Sequence, residues 1–156
     1  MYHFQIKSLD EAEFPDFFTM DDKALEKIGA VKMIADKTPG FPCRVSLEDA
    51  AIGEELVLLS YQHHKTASPY QASGPVFIRK NARTALLKVD EIPFMLEHRL
   101  LSLRAYNKNG MMKTALVSEG SRLKEALQNL FEDREVDYIH IHNARPGCYN
   151  CRVERA

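Results

Sequence analysis

The sequence predicts an α+β domain, mainly antiparallel sheet, with a C-terminal amphipathic helix and one shorter helix near the N-terminus. Three observations lead there. Residues 138–143, YIHIHN, alternate polar and apolar side chains with the period of a strand. Residues 100–106 and 111–118 flank Asn107, Lys108, Asn109 and Gly110, and the Asn-Gly pair supplies the positive φ angles of a hairpin turn. Leu123, Leu127, Leu130 and Phe131 recur at i, i+4, i+7 and i+8, which is one stripe of a helix over about 122–133.

Taken in order, Phe4 and Ile6 alternate with polar neighbours and form a first strand. Asp21 or Asp22 caps a short helix through Ala24, Leu25 and Ile28, which Gly29 ends. Thr38 to Pro42 is a shaped loop, because two prolines fix φ and remove donors on either side of Phe41. Residues 55–63, ELVLLSYQH, make a largely buried strand with Val57, Leu59, Tyr61 and His63 on one face. A polar loop, KTASPYQASGP, precedes a second buried strand, VFIRK, that starts after Pro75. Ser118 or Ser121 caps the C-terminal helix. After residues 138–143 a Pro-Gly turn leads to a last strand through Val153.

A length of 156 residues, with no repeat or glycine/serine linker, fits one domain of about 150 residues. Apolar residues make up 45% and charged residues 28%, which supports a core and excludes disorder and coiled coil. With a net charge of -1, no tryptophan and no basic aromatic stripe, nucleic acid is not an expected partner. Neither is a membrane, since no run reaches the roughly 18 apolar residues of a span. The start, MYHFQIKSLDEAEF, lacks the basic and apolar regions of a signal peptide, so the expected address is the cytosol. Cys43, Cys148 and Cys151 are odd in number and too few for a disulfide framework, so they are expected as reduced thiols. P-loop, dinucleotide, H-E-x-x-H and G-x-S-x-G motifs are all missing.

His140 and His142 are the most informative pair, since residues two apart on a strand share a face and two imidazoles can then share a ligand. They are the candidate catalytic residues, as acid or base, or alternatively part of a polar, solvated face. Cys148 and Cys151 have C-x-x-C spacing, but on a straight strand they point to opposite faces. A turn or bulge at Gly147 would let them join His140 and His142 in a Cys2His2 zinc site. His63 and His64 are consecutive and point opposite ways on a continuing strand, so one at most faces a site. The loop after them offers Ser68, Tyr70, Ser73 and Gly74. Among the arginines, Arg44 and Arg145 lie beside the cysteine and turn signals, and a guanidinium fork recognises carboxylate or phosphate at two points.

The segments Gly40-Phe41-Pro42-Cys43-Arg44, Gly53-Glu54, Ser68-Pro69-Tyr70, Ser73-Gly74-Pro75, His140-Ile141-His142-Asn143-Ala144 and Gly147-Cys148-Tyr149-Asn150-Cys151-Arg152 together resemble a bacterial family catalogued as domain of unknown function 1203. The resemblance covers nearly the whole chain, and the closing HIHNARPGCYNCRVERA is its most specific part. It implies a compact bacterial protein standing alone, and it carries no reaction, cofactor or active-site residue.

The residues therefore suggest one polar pocket for a small, anionic molecule. Arg44, His63, Tyr70, Ser73, Gly74, Asn143 and Arg145 are the expected ligand-binding set. His140 or His142 would move a proton, Arg44 or Arg145 would clamp the anion, and Tyr70 or Ser73 would orient it. Two alternatives stand beside it: the Cys2His2 zinc protein, and a non-enzymatic module, such as a homodimer joined through a sheet face or edge.

Overall fold

The alternation at residues 138–143 builds the central strand of the larger of two antiparallel sheets. In the computed structural model, which describes residues 1–156, that sheet runs β1 (Phe4–Lys7), β8 (Tyr149–Arg155), β7 (Tyr138–Asn143), β5 (Leu100–Tyr106) and β6 (Met112–Glu119). Directly opposed residues of an antiparallel pair share a face, so the register sorts the side chains. Ile139 and Ile141 lie opposite Ala105 and Leu103 on one side and Val153 and Cys151 on the other. This apolar face is covered by Met95 and Leu96 of α2 (Phe94–Glu97) and by Leu123, Leu127 and Leu130 of α3 (Leu123–Leu130), which close a core of 17 buried residues. Each fully buried leucine contributes about 1.5–3 kcal/mol of transfer free energy.

The other face of β7 carries Tyr138, His140 and His142, opposed by Arg152 on β8 and by Tyr106, Arg104 and Ser102 on β5. It is not wetted. A second sheet, β2 (Val31–Ile34), β3 (Glu55–His64) and β4 (Ala72–Arg79), lies over it. Val57, Val76 and Ile78 meet Tyr149, Cys43 and Val45 in a core of 10 residues. All six residues of β7 are consequently buried, so the solvated-face alternative for His140 and His142 is corrected.

Several local expectations need revision. β4 begins at Ala72, which shortens the preceding loop and places Pro75 inside a strand. Proline is tolerated there because β4 is the outer strand of its sheet. Its outer side is partly covered by the 42–45 ribbon, where the Arg44 N–H donates to Phe77 O at 3.0 Å. β2 and α2 carry no sequence signal, being four residues each. Asp21 caps α1 (Asp22–Lys27) by accepting the Ala24 N–H at 2.8 Å. Neither Ser118 nor Ser121 caps α3: a 3-10 turn, Gly120–Arg122, leads directly into it, and the N-cap Arg122 makes no side-chain cap bond. In the β5–β6 turn Asn107 Oδ1 accepts the N–H groups of Asn109 and Met111, and Gly110 takes φ 75°. No helix is long and apolar enough to cross a membrane.

Candidate functional site

Between β3 and β7, the rings of His63, His64, His140 and His142 pack with those of Tyr106, Tyr138 and Tyr149. The β3–β4 register shifts between Tyr61 and His64, and such an irregularity breaks the strict alternation of side chains along a strand. Both His63 and His64 therefore reach β7, although on a continuing strand they would point opposite ways. The His63 ring lies 5.2 Å from that of His142 and 6.4 Å from that of His140, while His64 lies 4.8 Å from His140. A second shift, between Ile141 and His142, turns Tyr149 beside His142. From there it stacks on His63 at 4.9 Å with 4° between the planes.

The hydrogen bonds fix which nitrogens carry protons. A carbonyl only accepts, so His64 Nδ1–H donates to Tyr70 O at 2.8 Å, and its bare Nε2 accepts the Tyr138 hydroxyl at 2.5 Å. By the same logic His142 Nδ1–H donates to Gly147 O at 2.9 Å, which leaves its Nε2 with a free lone pair. His142 Nε2, His140 Nδ1 and His63 Nδ1 are buried without any hydrogen-bond partner. One ring nitrogen of each of these three lies within 4.8 Å of one from each of the others. His64, fully partnered, stands outside this group. Burial is the largest cause holding the pKa of His63 and His142 down to about 4 and that of His140 down to about 2. These imidazoles are neutral at pH 7 and poorly matched to proton transfer there, since an efficient acid or base titrates near the working pH.

A small cavity of about 210 Å³ opens on the cluster, lined by His63, His140, Tyr61, Tyr149, Lys65 and Arg152 among others. The arginines expected beside the histidines lie elsewhere. Arg44, Asn143 and Arg145 line a separate cavity of about 590 Å³, together with His98, Arg99, Glu119 and Cys148. Arg44 is 1% exposed. Its Nε donates to Tyr149 O at 2.8 Å, Nη1 to Pro42 O at 2.5 Å and Nη2 to Cys148 Sγ at 3.2 Å. None of these partners is a carboxylate. Burial pulls its pKa down, yet a guanidinium stays charged in proteins. Arg99, in contrast, is held by Asp49 in a two-point pair at 2.5 and 3.0 Å. Cys148 Sγ also accepts Asn143 Nδ2–H at 3.3 Å, and Asn143 Oδ1 accepts Asn150 Nδ2–H at 2.9 Å.

The expected residues thus fall into two groups with a remainder. His63, His140 and His142 converge, and Gly74 lies against them: a Cβ there would stand 3.6 Å from His63 Nε2. Arg44, Asn143 and Arg145 converge around the larger cavity. Tyr70 offers its carbonyl to His64 and its ring to Tyr106 at 5.9 Å, and Ser73 is exposed on β4. The Cys2His2 grouping does not form. Cys151 shares the face of Ile141 in the large core, and burial pushes its thiol up to about 12, while Cys148 sits with Arg44. The irregularity in this hairpin lies between Ile141 and His142, and it turns Tyr149 rather than a sulfur toward the histidines. Tyr149 and Arg99 lie outside the expected set. Tyr149 sits inside the CYNC segment, whose motif is its cysteine spacing, and Arg99 carries no spacing signal.

Comparison with known proteins returned no match among curated proteins and none among solved structures. A family model described as "Protein of unknown function (DUF1203)" matches residues 40–155. That span includes the ribbon carrying Arg44, every lining residue of the larger cavity, and all those of the smaller one except Lys7, Ser8 and Leu9. On that match the chain belongs to the DUF1203 family.

Proposed function

We propose that the protein binds a small anionic molecule in the cavity lined by Arg44, Asn143, Arg145 and Cys148. The observation that carries this is the buried Arg44 charge with no carboxylate partner. A desolvated charge without a counter-ion is costly, and an anion in the adjoining cavity offsets that cost. Arg145 is exposed at the rim with no ion-pair partner and provides a second positive group. A cavity of about 590 Å³ suits a ligand of metabolite size.

Inorganic phosphate and malonate are the probes, titrated calorimetrically against chloride at matched ionic strength. Saturable binding of at least one probe is expected. It should weaken about tenfold in Arg145→Met, whose charge is screened by solvent, and by about 10- to 150-fold in Arg44→Met, the worth of a charged hydrogen bond. Heat changes indistinguishable from those of chloride with both probes, in the wild-type protein, refute the reading.

A further inference from the structure

We propose that His63, His140 and His142 form a binding site for one divalent transition-metal ion of the zinc type, distinct from the anion cavity. Three features carry it. Three imidazole nitrogens, His63 Nδ1, His140 Nδ1 and His142 Nε2, are buried without partners and come from one cluster. Leaving such groups unsatisfied is costly in a protein interior, and a metal ion held by the three rings would relieve it. His142 has its other nitrogen fixed by Gly147 O, which sets the tautomer that presents Nε2, as an outer partner does for a metal-ligating histidine. The donor set is three neutral nitrogens with no carboxylate or thiolate among them, which suits zinc-type ions and not calcium or magnesium.

Geometry sets the adjustment that binding requires. Zn–N bonds of about 2.0–2.1 Å in a tetrahedron place the nitrogens about 3.3 Å apart. The separations of up to 4.8 Å close by about 1.5 Å at most, within reach of small side-chain rotations. Three protein ligands leave a fourth position, and the cavity of about 210 Å³ lined by His63 and His140 lies beside the cluster. Arg104 and Arg152 act on these histidines through their charges. Their positive charges oppose the cation itself, so an anionic fourth ligand, such as hydroxide, would be favoured over neutral water. The stacked Tyr149 ring holds His63 in place.

The test uses the full chain, stripped with chelator and titrated with Zn2+ by calorimetry and with Co2+ by visible absorption. One ion per chain is expected, bound at about micromolar Kd or tighter, with cobalt bands of tetrahedral nitrogen and oxygen ligation and a raised melting temperature. His63→Gln, at the partly exposed rim of the cluster, and His142→Gln should each weaken uptake by at least about 100-fold. His3→Gln, whose ring bonds Asp90 and is no part of this cluster, should leave it unchanged. Absence of a one-to-one phase in the wild-type protein overturns the proposal whatever the variants do. So does a sulfur-to-cobalt charge-transfer band, which would assign the metal to a cysteine, or uptake retained in a folded His63→Gln, His142→Gln double variant. Phosphate binding by the same sample is scored separately, so failure of one site leaves the other standing.

Discussion

Gly120 stands where the end of β6 crosses the carboxyl end of α2, and replacing it with alanine is the most sharply defined perturbation the fold offers. A Cβ there falls 1.8 Å from Leu96 O and 2.8 Å from the carbonyl carbon and oxygen of Glu97. These contacts are to main chain, so no side-chain rotation relieves them. The φ angle at Gly120 is outside the left-handed region, and crowding is therefore the whole cost. Relief requires the turn of α2 to withdraw by about 1.5 Å, given a normal carbon–oxygen contact of roughly 3.4 Å. That movement loosens the hydrogen bond from Gly120 N–H to Arg99 O, 2.8 Å, worth about 1 kcal/mol. It also disturbs Met95 and Leu96, both fully buried in the large core, for about 1–3 kcal/mol. Gly120→Ala is thus expected to lose about 3 kcal/mol in urea denaturation and roughly 6–12 °C in Tm. Gly53 is the control: φ is 90° and nothing lies within 4 Å of an added Cβ, so Gly53→Ala carries only backbone strain of about 1–2 kcal/mol. If Gly120→Ala proves as stable as wild type, or more stable than Gly53→Ala, the packing argument fails. Arg99 and Glu119 beside Gly120 line the cavity proposed for the anion, so on that proposal the variant should also bind phosphate more weakly.

Two further outcomes are expected. In native protein a thiol reagent should modify Cys148 alone, since Cys43 and Cys151 are wholly buried; the label should vanish in Cys148→Ser, and modification of all three thiols without unfolding contradicts the packing. In chelator-treated protein, acid should destabilise the fold below pH 6.5, because His140 and His142 bind protons when unfolded and resist them when folded, with pKa values of about 2 and 4. Stability is complete above the unfolded pKa and falls by about 1.4 kcal/mol per pH unit for each histidine as pH drops toward the folded values, a loss of about 4 kcal/mol by pH 5; urea midpoints that stay level from pH 7 to 5 refute it.

The backbone was legible where a period ran long enough. Leu123, Leu127 and Leu130 showed their helix, and Ile139 and Ile141 showed which side of β7 meets it. Val31 to Ile34 were invisible because an outer strand of four mostly exposed residues has no burial pattern to display. The site was half legible. Alternation marks Tyr138, His140 and His142 as one face, but it is the same whether that face meets water or a second sheet. Parity rules also fail at register shifts. His63 and His64 both reach β7, and Tyr149 reaches His142, only because the ladders slip by a residue, which composition does not announce. In sequence Arg44 is marked only by the adjoining cysteine, whereas its lack of a carboxylate partner is a property of the fold.

Tyr149 gives its carbonyl to Arg44 and its ring to His63. One residue thereby lies between the guanidinium and the imidazole, its main chain turned to one and its side chain to the other. Replacing Tyr149 with leucine removes the ring beneath His63 and keeps the carbonyl that Arg44 holds, so the two neighbourhoods can be perturbed one at a time.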